Sequence, residues 1–366
     1  MSMKSVDRSF LITVAILVIA GFFIFSSASL GVLSKNTGKY QAVTFNQLML
    51  GLVAGSVAAY ITSRISYQFW RKHAFYIFVS AFLLMLLVFI PGVGRCAKGA
   101  CRWIVLGGQS FQPAEFYKLG FVMYLSAWYA SVKQKSSTSK FGTIPFVILS
   151  VLTASVVLMQ PDTDTFMVII AAGVAIYVTA GGKWKDLAIM GLVGVIGLTA
   201  LVLQRPYLQQ RILTFADPSK DPTGSSYQVQ QSLIAIGSGG LTGRGFGQSI
   251  QKFNFLPEPI GDSIFAVAAE EFGFVGSVFI IFLYIMFALK GLKIAIRAPD
   301  IFGSYLVVGI ITLITIQSFL NIAAMLAIIP LSGTPLLFIS HGGTALFFAL
   351  ASVGIVLNVS RHQRKV

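Results

Sequence analysis

Four of the chain's twelve acidic residues, Glu258, Asp262, Glu270 and Glu271, fall in the stretch NFLPEPIGDSIFAVAAEEFG (254–273). A carboxylate beside an apolar span needs a partner, a proton or a task. Carboxylates are also the usual groups for taking a proton from a poor nucleophile. Asp262 closes the loop LPEPIGD and is expected at the N-cap of a long apolar helix that starts at Ser263. Glu270 and Glu271 follow about two turns in, where at least one must face the protein interior, paired or protonated. Capping plus an interior ion pair explains each acid singly but not their clustering.

Other groups repay the same scrutiny. In FQPAEFYKL, Pro113 suits the first helical position and Glu115 sits where the helix dipole favours an anion. Glu115 and Lys118 are spaced i,i+3 on one face, so they form either a plain ion pair or a cation held inside a substrate-lined cavity. Arg102 and Trp103 stand just ahead of that helix, where an arginine can fork onto phosphate. MQPDTDT puts Asp162 and Asp164 in a turn: Asp164 reads as a helix N-cap, while Asp162 after Pro161 is less easily given a structural role. His341 in FISHGGTAL reads as a hydrogen-bonded packing residue, and His73 and His362 as solvated charge. The glycine-rich GSGGLTGRGFG (237–247) lacks the spacing of a P-loop or a dinucleotide fingerprint. It is either a flexible loop or a backbone nest for anionic headgroup oxygens, helped by Arg244. Cys96 and Cys101 are too few for a metal site and are either disulfide-bonded or two thiols.

The elements that must position these groups are apolar helices. Apolar residues make up 56% of the 366 and charged residues only 11%, against about a quarter charged in a soluble domain. An all-α integral membrane protein is predicted, with about ten transmembrane helices near 10–33, 44–63, 74–91, 113–132, 143–160, 164–181, 186–204, 263–289, 303–329 and 336–359. The first run is too long for a signal peptide and reads as a retained span. Lysine and arginine are concentrated on one set of short loops, which predicts cytoplasmic N- and C-termini. A long extracytoplasmic loop, about 205–262, then separates helices 7 and 8, and no soluble domain interrupts the single membrane domain 1–366. Within that loop, LTFADPSKDPTGSS reads as turns or linker, and YQVQQSLIAIG as a short amphipathic helix at the membrane surface. The net charge of +15 follows from topology and contact with anionic lipid, and its scatter excludes a nucleic-acid surface.

In their order, CRWIVLGGQSFQPAEFYKL, QPDTDT, YQVQQSLIAIGSGGLTGRGFGQSIQKFNFLPEPIGDSIFAVAAEEFGFVG and NIAAMLAIIPLSGTPLLFISHGGTAL resemble the SEDS family of FtsW/RodA type. These are ten-span bacterial membrane proteins that polymerise peptidoglycan. GRGFGQSIQKFNFLPEP and RILTFADP look more like the division branch than the elongation branch. The resemblance implies lipid II as substrate and undecaprenyl pyrophosphate as product. It makes Asp262 the catalytic base, and Arg102, Glu115, Lys118 and Asp162 substrate-binding groups, with Arg244 and Glu258 as further candidates. A divalent cation, Mg or Mn, on Asp262 or Asp162 is a further expectation. It also implies the bacterial cytoplasmic membrane, other division proteins, and a class B penicillin-binding protein as partner, since no transpeptidase motif occurs in this chain. A lipid II flippase, a non-catalytic division scaffold and an elongation role are the alternatives. The sequence departs from the family's motifs at Ile260 and Gly261, where His and Thr are usual, at Asp164 for Gly, and at His341 for Tyr.

Overall fold

A computed structural model describes residues 6–97, 100–106, 109–132, 138–217 and 225–363. In chain order the elements are α1 (Arg8–Leu33), α2 (Thr37–Phe45), a π-helical stretch (Asn46–Ala54), α3 (Gly55–Arg64), α4 (Tyr67–Leu87), β1 (Gly94–Ala97), β2 (Ala100–Leu106) and β3 (Gln109–Phe111). There follow α5 (Pro113–Val132), α6 (Thr143–Val157), α7 (Thr163–Thr179), α8 (Trp184–Gln204), α9 (Pro206–Ala216) and α10 (Ser225–Ser238). The chain ends with α11 (Gln251–Asn254), α12 (Ile264–Ile296), α13 (Ile301–Met325) and α14 (Gly343–Arg361). This is a multi-pass helical bundle in which, among the described residues, 7 helices are long and apolar enough to cross a membrane, counting Thr37–Arg64 as one. Helices suit such spans because each satisfies its own backbone polar groups away from water.

Three features differ from the sequence reading. The segment after α4 is a three-stranded antiparallel sheet, not a loop, and a Cys96–Cys101 disulfide joins β1 to β2 in register. The last helix starts only at Gly343, because 326–342 folds as turns and extended chain threaded between helices. The amphipathic segment is helical as expected, but α10 buries Ser226, Ser232 and Ala235 and turns Leu233 and Ile234 outward. In a bilayer the small and polar face is the one that packs on protein, since lipid solvates leucine as well as a protein core does. Most of the DPSKDPTG part of the linker, 218–224, lies outside the described residues.

The glycine-rich run is neither loose nor a nest for an outside anion. It lies backbone to backbone on α12, which is broken at Gly273 with φ +67°. The N–H groups of Arg244 and Gly245 donate to the carbonyls of Glu270 and Glu271, and those of Phe274 and Val275 donate to Gly240 and Leu241. A Cβ on Gly273 would stand 2.3 Å from the Gly243 nitrogen, so this contact needs glycine for space as well as for φ.

Below this crossing both glutamates are buried and both are paired. Lys252 brings Nζ within 2.7 Å of Glu271 Oε1 and donates to Ser27 Oγ and the Gly247 carbonyl, each at 2.9 Å. Glu270 accepts from Ser249 Oγ (2.6 Å), Ile250 N (3.0 Å) and Gln251 N (3.3 Å), with Arg244 Nε 3.5 Å away. The two acids tie the loop before α12 to α1 and α12.

Two stability effects follow. Gly273→Ala is expected to lower the melting temperature of the purified protein clearly. Gly191→Ala, on α8 with nothing within 4 Å of its added Cβ, should leave it level or raise it slightly. Lys252→Met strands a buried carboxylate and is expected to cost about 3–5 kcal/mol. Adding Glu271→Gln should recover much of that loss, and a double variant as unstable as the single one would contradict the pairing.

Candidate functional site

Most of the residues singled out in the sequence meet at one end of the bundle, where α5, α7, α12 and α14 begin and α13 ends. Asp262 lies in the turn before α12, and Ser263, not Asp262, occupies the N-cap. Three successive carbonyls hold that turn. The amide of His341 donates to Ile260 O (2.7 Å), Ser340 Oγ to Gly261 O (2.8 Å), and Asn321 Nδ2 to Asp262 O (2.8 Å). The grip is on the backbone, so it does not depend on which side chains stand at 260 and 261. Ile260 buries its side chain in the core, and Gly261 lies in the turn closed by its amide to Glu258 O at 3.0 Å.

Lys118 is buried in an apolar cleft between α5, α13 and α14, both paired and hydrogen-bonded. Its ammonium is 2.7 Å from Glu115 Oε2 and donates to Gln317 Oε1 at 2.6 Å. Gln317 in turn donates to Pro335 O (3.3 Å), and Asn321, one turn along α13, donates to Thr334 O (2.8 Å). One face of α13 therefore links the Lys118 pair to the backbone of Asp262 through the 334–335 segment. The Glu115–Lys118 ion pair is formed, and it lies in a cleft rather than on a lipid-facing surface.

Asp162 and Asp164 exchange the roles expected of them. Asp162 is the N-cap of α7, accepting from Thr165 N at 3.4 Å, and Arg102 Nη1 stands 3.7 Å from it. Arg102 also donates to the carbonyls of Gln160 and Pro161. Burial raises the Asp162 pKa against the opposing pull of Arg102. Asp164, in the first turn of α7, is not a cap. It pairs with Arg211 of α9 (Nη1–Oδ2 3.2 Å) and accepts from Gly333 N at 2.9 Å. Asp164 Oδ2 and Asp262 Oδ2 each lie 3.8 Å from the point where a Cβ on Gly333 would sit, and Arg211 Nη2 lies 4.0 Å from it.

Two candidates are placed differently. Arg244 points to Glu270 in the loop anchor, and Glu258 is exposed, with φ +46°, on the His341 side of the turn. Sequence reasoning missed Arg211, Gln317, Asn321, Ser340 and Lys252. Gln317 and Asn321 had a signal, an i,i+4 polar pair inside an apolar span. Arg211 and Lys252 had none, because basic residues in a long loop look alike until the loop is folded.

A family model described as a cell cycle protein, FtsW/RodA/SpoVE, matches residues 7–365. Stage V sporulation protein E of Bacillus subtilis (strain 168) is 38% identical over 355 residues, spanning 97% of this chain and 96% of that protein. A probable peptidoglycan glycosyltransferase FtsW of Geobacter sp. (strain M18) is 37% identical, spanning 86% of this chain and 85% of its own. Among solved structures, a chain from work on the structural coordination of polymerization and crosslinking by a peptidoglycan synthase complex matches with TM-score 0.80. It is 25% identical and covers 99% of both chains. The Thermus thermophilus rod shape determining protein RodA matches with TM-score 0.72 at 25% identity, over 99% of this chain and 98% of that one.

His341 packs as expected, its ring stacked on Phe25, but its Nε2 is buried without a hydrogen-bond partner among the described residues. Burial lowers its pKa from 6.5 to about 4; Glu258 raises it and Lys39 lowers it further. The unfolded chain therefore binds this proton more readily, and stability falls as pH drops from 6.5 towards about 4. The melting temperature should decline across that window, and His341→Tyr should flatten the decline. An unchanged slope would remove His341 as its source.

Proposed function

The chain belongs to the FtsW/RodA/SpoVE family and is a peptidoglycan glycosyltransferase of the multi-pass membrane type, and we propose that it polymerises lipid II into glycan strands during septal wall synthesis. The donor's anomeric carbon is attacked by the 4-hydroxyl of the acceptor sugar. The C1–O bond to the lipid pyrophosphate breaks, and the hydroxyl proton passes to Asp262. One displacement inverts the anomeric centre, so no glycosyl-enzyme is needed.

The carbonyl capture of residues 260–262 carries this reading, because it fixes the backbone of a half-buried carboxylate that faces the same small space as the Arg211 guanidinium. A base must be held within reach of its proton, and a polyanionic leaving group needs positive potential already in place. Arg102 and Lys118 supply that potential from fixed positions. Arg244 serves the loop anchor on which the turn depends.

Among the described residues no three His, Cys, Asp or Glu side chains group as a metal site. A magnesium ion is commonly held by one or two carboxylates together with substrate phosphate oxygens. Of the two carboxylates, Asp262 is the one at the proposed reaction centre, while Asp162 caps α7 beside Arg102. A cation there would offset charge on the departing pyrophosphate.

Ten spans are counted when α5, α6 and α7 are added to the seven helices long and apolar enough to cross a membrane. Both termini are cytoplasmic, which puts Asp262 at the outer face of a bacterial cytoplasmic membrane. A class B penicillin-binding protein supplies crosslinking, in keeping with the peptidoglycan synthase complex one chain of which this one resembles.

Asp262→Asn, purified with its partner, is expected to lose about 100-fold or more of its polymerisation rate on lipid II with its melting temperature unchanged. Full activity in that variant would sink Asp262 as base. Chelation followed by Mg or Mn addition tests the cation: a rate that neither falls nor recovers removes it.

A further inference from the structure

We propose that Arg211 binds the pyrophosphate of the donor substrate beside Asp262, and that Asp164 is the residue that positions it. This rests on the reading that the donor is a polyprenyl pyrophosphate; the displacement assigned to Asp262 does not itself require Arg211.

The first ground is placement. Arg211 reaches from α9 to the first turn of α7, and its Nη2 faces the point above Gly333 that Asp262 Oδ2 also faces. In a displacement at an anomeric carbon, base and leaving group lie on opposite sides of one centre. A carboxylate and a guanidinium flanking one small space meet that requirement.

The second ground is how each cation is spent. Lys118 is buried on Glu115 and Gln317, and Arg102 is held by the carbonyls of Gln160 and Pro161 as well as by Asp162. Lys118, 7% exposed, can act on a substrate through its field, while Arg102 keeps 24% of its side chain exposed but has its nitrogens engaged. Arg211 meets Asp164 through Nη1 alone, at 3.4 Å and 3.2 Å to the two oxygens, which is not the parallel two-nitrogen fork that arginine prefers with an oxyanion. Its side chain keeps 26% of its surface exposed, against 7% for Lys118. A phosphate can therefore take the fork that Asp164 leaves unused.

The third ground is Asp164 itself. It stands where the resemblance leads one to expect glycine, yet it joins three segments: the first turn of α7, α9, and the turn at Gly333. Removing the side chain removes the tie on Arg211 and leaves the N-cap of α7, which belongs to Asp162, in place. α8, which leads into α9, has no buried residue, and α9 itself buries Leu208 and Thr214; the guanidinium is held by Asp164 and lies 5.9 Å from the Tyr207 ring centroid.

The test uses full-length protein in nanodiscs with its crosslinking partner. Wild type, Arg211→Ala, Arg211→Lys, Asp164→Gly and Asp164→Glu are compared for KM and kcat on lipid II, and for binding of inorganic pyrophosphate. Arg211→Ala is expected to raise KM and weaken pyrophosphate binding about tenfold, the equivalent of removing one charge-assisted hydrogen bond. Arg211→Lys should fall between, Asp164→Gly should raise KM several-fold with kcat nearly kept, and Asp164→Glu should restore part of the loss. Melting temperatures identify any variant that merely misfolds. Folded Arg211→Ala with unchanged KM and unchanged pyrophosphate affinity overturns the proposal. If wild type binds pyrophosphate through Arg211 but does not extend glycan from lipid II, the functional reading falls and the anion site stands.

Discussion

Lys252 carries a charge that has no route to water, and much of the architecture at this end of the bundle depends on the groups that receive it. Its ammonium sits against Glu271, with Ser27 from α1 and the Gly247 carbonyl completing the shell. An ammonium or a carboxylate buried alone in such surroundings is strongly unfavourable, so each is tolerated because the other is there. Glu270, one residue earlier, takes two backbone amides and a serine of the same loop. The paired glutamates thus convert a glycine-rich crossing into a fixed strap over the broken helix.

That strap sets the starting point for the chain that follows. From Lys252 the polypeptide runs through α11 to the turn at 258–262, where donors from α13 and the 340–341 segment take its last three carbonyls. Asp262 is therefore aimed by groups that do not read the side chains before it. This accounts for a chain in which Ile260 and Gly261 replace the usual His and Thr without loss of the turn: one residue packs in the core, the other adds no bulk. Ser263 stands at the N-cap position of α12, its hydroxyl accepting from Gln228 of α10 at 3.0 Å and making no cap hydrogen bond of its own.

Much of the bundle was legible because a bilayer imposes a length and a composition on each span, and both can be counted in residues. Lys118 and Glu115 were legible for a related reason: charges inside an apolar helix are costly enough to demand an explanation. The small sheet was not. Its strands are short, and β1–β2 pairing closes around a disulfide whose formation depends on the two cysteines meeting in register. The glycine run was misread because its glycines answer to backbone atoms of α12, far along the chain, and not to any local motif. Asp164 was misread because a carboxylate near a helix start is as able to pair across to another element as to cap, and only the location of Arg211 decides which.

By itself the sequence determined that this is a multi-pass membrane protein with its acids gathered next to Asp262, since hydropathy and charge are local quantities summed along the chain. Its quoted motifs also carried the family. Tertiary structure alone decided how those charges are divided. It gave Glu270 and Glu271 to the loop anchor, Asp162 to a cap, Asp164 to Arg211, and left Asp262 on a turn held by its backbone. The physical reason is that a buried charge is settled by whichever counter-charge and donors reach it. Here those come from α9, α11 and α13, elements whose proximity no local pattern encodes.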